Sequence, residues 1–172
     1  DLNSLHEAYI KSKSGVEWKE SVQKYGIYEL AHIQELSEAL KNHTYRQKPF
    51  YEFDINERGK QRHIKSLHIS DRVLQRALCD QILTPELQKY LIYDNGASVK
   101  DKGIEFSRRR LKIHLTRYYK KHGRDGYILL IDFSKYFDNI RHDKLLEMIA
   151  EKINDEEVIA LLRHLIATFD TT

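Results

Sequence analysis

The sequence predicts an α+β fold, mostly helical, with one β-hairpin and one short buried strand on which later helices pack. Three patterns point to it. Apolar residues recur at helical spacing in several long stretches, residues 51–55 alternate apolar and polar before a turn string, and residues 127–131 form an unbroken apolar run that stops at Asp132.

The first 44 residues read as helical. Leu30, Ile33, Leu36 and Leu40 share one helix face, and Gly15 and Gly26 are the expected breaks. Trp18, Tyr25 and Tyr28 are expected to pack rather than to stack on a ligand. In residues 45–64, Tyr51, Phe53 and Ile55 alternate with polar residues, and Asn56-Glu57-Arg58-Gly59 then leads into a second extended run, which predicts a hairpin with a basic tip. Ser70 offers an N-cap to an amphipathic helix over 71–83, with Val73, Leu74, Ala77, Leu78 and Ile82 on the buried side and Arg72 and Arg76 opposite.

After Pro85, the turn residues Asp94-Asn95-Gly96 and then Gly103 break the chain before a long helix over 104–121. Two helices close the sequence, one starting at His142 or Asp143 and one at Asn154-Asp155. His142 reads as a helix-start hydrogen-bonding residue rather than a metal ligand, and Asp138 as a bond to its own turn.

A length of 172 residues suits one domain or two small lobes, and 41% hydrophobic with 32% charged residues describes a globular chain with a heavily charged surface. No apolar run approaches the ~20 residues needed to cross a bilayer, and the start carries no signal-peptide pattern, so no membrane partner and a cytoplasmic location are expected. The single cysteine, Cys79, has no partner at zinc-ligand spacing and is expected to be a small buried hydrophobe.

The net charge of +3 says little, but its distribution says more. Residues 98–125 carry ten cations against three acids, whereas residues 143–157 carry six acids against two cations. On the helix over 104–121, Arg108, Arg109, Arg110, Lys112, Arg117, Lys120 and Lys121 face a single acid, Glu105. That excess is a candidate phosphate-binding face, although a charge run is more often simply solvated.

Asp132 ends an apolar strand pattern, and an acid placed there needs a partner. A hard cation with oxygen ligands would supply one, while most strand-end Asp residues do no more than cap a turn. The string Asp132-Phe133-Ser134-Lys135-Tyr136-Phe137-Asp138, followed by Ile140, His142 and Leu145, resembles the first catalytic-palm motif of bacterial reverse transcriptases, including those of group II introns, retrons and phage-defence systems. A second series resembles the fingers of the same family: Arg62, Asp71-Arg72, Gln75, Ala77-Leu78, Leu83 and Pro85. The resemblance covers residues from about 30 to 166.

It implies fingers built of helices and a hairpin, then the first part of a right-hand polymerase palm, in a chain divided as 1–44 (N-terminal helical segment), 45–126 (fingers) and 127–172 (start of palm). It implies that Asp132 binds two catalytic Mg2+ ions in the complete enzyme and that Phe137 packs against the sugar of the incoming nucleotide, with Phe133 at the same site. Arg62 would meet the triphosphate, with Lys65 and Arg58 nearby, and Arg72, Arg76, Arg108, Arg109, Arg110, Lys112 and Arg117 would contact nucleic acid. The implied partners are an RNA template, a DNA primer and deoxynucleoside triphosphates.

The sequence departs from the intron-encoded enzymes in having His63-Ile64-Lys65-Ser66-Leu67 after Arg62, Asn56-Glu57-Arg58 at the hairpin tip, and Asn95-Gly96-Ala97-Ser98-Val99-Lys100 where they carry Tyr-Gly-Phe-Arg-Pro. The Tyr-x-Asp-Asp motif that supplies the family's other metal-binding acids does not occur. A fragment inactive on its own is therefore expected, with self-association through an exposed palm surface. The alternative is a non-catalytic RNA-binding module of a splicing or defence ribonucleoprotein.

Overall fold

Leu5, Ala8 and Tyr9 bury one face of helix α1 (Leu2–Lys13), which Asp1 caps by accepting a hydrogen bond from the Ser4 N–H. Gly15, with φ +77°, turns the chain out of this helix, as its position in the sequence suggests. Helices α2 (Glu20–Ile27) and α3 (Glu29–Lys41) follow. Gly26 does not break α2 but lies inside it, where an added Cβ would stand 2.8 Å from the Tyr9 hydroxyl. Close approach of α1, not a turn, explains that glycine.

The computed structural model describes residues 1–169, and the chain divides into two compact units, Asp1–Pro85 and the part from Glu86 onward. In the first unit α1 packs on α3 and on α4 (Ile69–Leu78). The core joins Val22, Tyr25, Ile33, Leu36 and Tyr45 to Ile69, Val73, Leu74, Ala77 and Leu78. Leu30 shares the direction of Ile33 and Leu36 but is exposed, because it sits in the first turn of α3, past the packed part of the stripe. Trp18 is also exposed, with the Lys19 ammonium 5.5 Å from its ring, and Tyr28 is exposed too, so of the three aromatics expected to pack only Tyr25 is buried.

Between α3 and α4 lies the hairpin of β1 (Tyr51–Glu57) and β2 (Lys60–Ser66), antiparallel, with Phe53 opposite Ile64 and Asp54 opposite His63. Arg58 and Gly59 form its two-residue turn, both with positive φ, the conformation that matches strand twist. Helix α4 is capped by the His68 imidazole, which accepts from the Ser70 N–H, rather than by Ser70 itself. The helical path continues as a single π-turn over Cys79–Leu83, then a short α5 (Thr84–Leu87). Cys79 is exposed, contrary to expectation: it falls on the side of the helix that carries Arg72 and Gln75, away from the stripe of Val73, Leu74 and Leu78. Ile82 is half-buried.

In the second unit, residues 91–103 form a loop before α6 (Ile104–His122), the long basic helix, which ends at Gly123 with φ +68°. Helices α7 (His142–Ala150) and α8 (Glu156–Ile166) pack on each other around Ile153, Val158, Leu162 and Leu165. Asp155 caps α8 by accepting from the Val158 N–H at 3.0 Å. No strand forms at 127–131. A strand requires a hydrogen-bonded neighbour, and the strands among the described residues, β1 and β2, pair with each other. The apolar run is therefore exposed instead of buried on both faces, with Tyr127 and Leu130 at 104% and 90% of full exposure.

Candidate nucleic-acid interface and carboxylate turn

Asp132 follows this uncovered run in non-helical backbone, and its side chain is exposed. The chain then turns through Lys135, at φ +46°, into one 3-10 turn over Phe137–Asn139. Asn139, not Asp138, ties the turn: its amide donates to the Lys135 carbonyl at 2.9 Å and to that of Ser134 at 3.3 Å. Phe133, Tyr136 and Phe137 form a small aromatic chain, with ring centroids 6.2 and 5.3 Å apart, and all three are exposed. Phe137, at 81% exposure, does not pack as a core aromatic against Ile140. Helix α7 starts at His142, where Arg141 bonds Asp143 at 2.5 Å.

A pair of magnesium ions needs several carboxylates converging on one point. Asp132 offers one, and no group of three His, Cys, Asp or Glu side chains able to hold a metal occurs among the described residues. These residues do not fit a two-metal site by themselves.

Along α6 the cations separate into two classes. Arg108 pairs with Glu105 at 2.7 Å. Arg110 is half-buried and pairs with Asp94, whose other oxygen lies 2.5 Å from His114 Nε2. The Arg110 guanidinium also stands 4.9 Å from the centre of the Tyr93 ring, and the Lys102 ammonium lies 4.8 Å from both the Tyr93 and the Phe106 rings while donating to the Tyr93 carbonyl at 2.6 Å. These contacts fasten the 91–103 loop to the first half of α6. Hydrogen bonds from Arg110 and then His114 hold the Asp94 carboxyl below its ordinary value. Nothing in residue type marks Arg110 and His114 as partners of Asp94, because they lie 16 and 20 residues beyond it, across a loop.

By contrast, Arg109, Lys112, Arg117, Lys120 and Lys121 are exposed and form no ion pair among the described residues. Arg109, Lys112, Arg117 and Lys120 share one broad side of α6, opposite Ile104, Leu111, Leu115 and Tyr118. They span about 16 Å of helix at ~1.5 Å per residue. On the apolar side a cavity of about 430 Å³ is lined by Leu115, Tyr118, Tyr119, Tyr127 and Ile128, with His114 and Arg124 also in its wall. Tyr118 donates its hydroxyl to the Asp125 carbonyl at 2.8 Å, and its ring leaves no space for a side chain at Gly126.

In the first unit the hairpin displays Arg58, Lys60, Arg62 and Lys65. Arg62 lies 3.1 Å from Glu57, and Lys65 lies 3.9 Å from Glu52. Arg72 is half-buried, while Arg76 shares Asp80 with Lys11 at 3.0 and 2.8 Å. The exposed, unpaired cations of α6 are thus better placed to meet phosphate than Arg76, Arg108 or Arg110, each of which would first have to leave a carboxylate.

No protein-family model matches this sequence, and no curated protein matches it significantly. Among the described residues no helix is long and apolar enough to cross a membrane.

Proposed function

We propose that this chain contributes the fingers and the beginning of the palm of an RNA-directed DNA polymerase. The observation that carries the reading is the Asp132-to-Leu145 string, together with the preceding helix α6, on which Arg109, Lys112, Arg117, Lys120 and Lys121 are exposed without carboxylate partners among the described residues. The turn after Asp132 leaves both Asp132 and Phe137 open to solvent, which suits residues that meet a metal-bound nucleotide. In this reading Asp132 supplies one carboxylate of the Mg2+ site, and Phe137 and Phe133 flank the sugar. Arg109, Lys112 and Arg117 guide the RNA template and the primer.

A second reading is supported by the same helix: an RNA-binding module without polymerase chemistry, acting within a ribonucleoprotein. The two separate in one experiment on the protein that carries this chain. Asp132→Ala abolishes deoxynucleotide incorporation and leaves RNA binding intact if the polymerase reading holds. Retained DNA synthesis by that variant would exclude it. Under the second reading Asp132→Asn is silent, and neutralising the α6 cations removes function.

A further inference from the structure

On one face of the hairpin, Glu52 and Asp54 stand two residues apart on β1, and His63 lies directly across from Asp54 on β2. The His63 ring bridges the two acids: Nδ1 lies 2.9 Å from Asp54 Oδ1 and Nε2 lies 3.2 Å from Glu52 Oε2. Ionised carboxylates only accept hydrogen bonds, and a neutral imidazole has one N–H and one lone pair. A neutral ring would therefore turn its lone pair toward one of the acids. Both contacts are favourable only when each ring nitrogen carries a proton.

We propose that Glu52, His63 and Asp54 form a proton-operated clasp that fastens β1 to β2 while His63 is an imidazolium and loosens the hairpin when the proton leaves. This inference does not depend on the polymerase reading. The charged groups facing the ring are those two acids on β1, the strand packed against β2, and Lys65 on β2 itself, whose ammonium lies 3.9 Å from Glu52. Hydrogen bonds to Asp54 and then to Glu52 raise the His63 pKa above its ordinary 6.5. The sign follows: the stabilisation is fully present below the unfolded value and disappears as pH rises through the higher folded value. Since all three side chains are about half exposed, added salt weakens the coupling.

The clasp also sets the charge beside Arg62. Residues 51–66 carry four cations and three carboxylates, so the formal charge of the hairpin is +2 with His63 protonated and +1 without. Raising the pH through the His63 midpoint therefore halves the formal charge with which this element attracts an anion.

The test is an NMR titration of the His63 ring protons in the full 172-residue chain, with the resonance assigned by its loss in His63→Gln. The expected midpoint lies above that of an unperturbed histidine and moves down in Glu52→Gln/Asp54→Asn, with each single variant giving part of the shift. Amide exchange in β1 and β2, corrected for its intrinsic pH dependence, should lose protection through the same midpoint and show no such step in His63→Gln. A midpoint at or below the unperturbed value, or one that the double variant leaves in place, overturns the clasp. So does hairpin protection that is independent of pH in the unsubstituted protein.

Discussion

Tyr45 donates its hydroxyl to Asp71 Oδ1 at 2.7 Å inside the core of the first unit, joining residues 26 positions apart. The second oxygen of Asp71 accepts the Lys48 N–H at 3.2 Å, so an acid that is only 1% exposed has two donors. Asp71 also occupies the first turn of α4, where the helix N-terminus favours negative charge. Removing one donor leaves a buried carboxylate partly unsatisfied. Tyr45→Phe should cost about 1–3 kcal/mol in urea denaturation, and Asp71→Ala should cost at least as much by orphaning both donors. A loss below roughly 0.5 kcal/mol in Tyr45→Phe would mean that another donor replaces the hydroxyl.

The same packing makes the protein sensitive to alkali. Burial, reinforced by the neighbouring Tyr9, pushes the Tyr25 hydroxyl up to about 12, and burial and then the bond to Asp71 raise Tyr45 as well. Both tyrosines hold their protons in the folded state at pH values where the unfolded chain, with tyrosines near 10.0, gives them up. The contribution of these two tyrosines to folding stability is therefore flat below about pH 10 and falls above it, as the unfolded state loses protons first. Circular dichroism across an alkaline series should show unfolding that begins there and is shifted upward in pH by Tyr25→Phe; an unchanged onset would separate these tyrosines from the transition.

Arg109 and Arg110 are adjacent in sequence and are expected to differ in function. Neutralising Arg109, Lys112, Arg117 and Lys120 together should flatten the log-log salt dependence of RNA binding by about 0.7–0.9 for each phosphate that these side chains neutralise. Arg110→Ala should leave that slope nearly unchanged and instead speed amide exchange in the 91–103 loop, as should Asp94→Ala, because the Asp94 pairing fastens that loop to α6. Equal slopes for the fourfold variant and the unsubstituted chain would remove α6 from the RNA interface.

The hairpin, α6 and the starts of α7 and α8 were legible because alternation, helical spacing, glycine and an acid at a helix start are local signals. Arg58-Gly59 is one such signal, two positive-φ positions between alternating runs. The fastening of Asp94 by Arg110 and His114 was not legible, because its partners lie 16 and 20 residues away and only the folded loop brings them together. Residues 127–131 show a different limit. An apolar run reports a demand for burial, whereas a strand also needs a neighbour, and the run says nothing of whether one is present. Asp132 and Phe137 consequently stand on an exposed turn rather than at the tip of a buried strand.

That uncovered run has a consequence for the isolated chain. Tyr127, Ile128, Leu129, Leu130 and Ile131 are each at least 69% exposed, and the cavity wall formed by Leu115 and Tyr118 adjoins Tyr127 and Ile128. Contiguous apolar surface of this kind promotes association, and burying each such side chain is worth roughly 1.5–3 kcal/mol. Sedimentation velocity of the 172-residue chain should show the weight-average coefficient rising with concentration. Leu129→Glu/Leu130→Glu should abolish the rise, because association would then have to desolvate two carboxylates without partners. Folding should be little affected, since both leucines are already exposed. A chain that remains monomeric at every concentration, or a variant that associates as the unsubstituted protein does, would remove this run from any association surface.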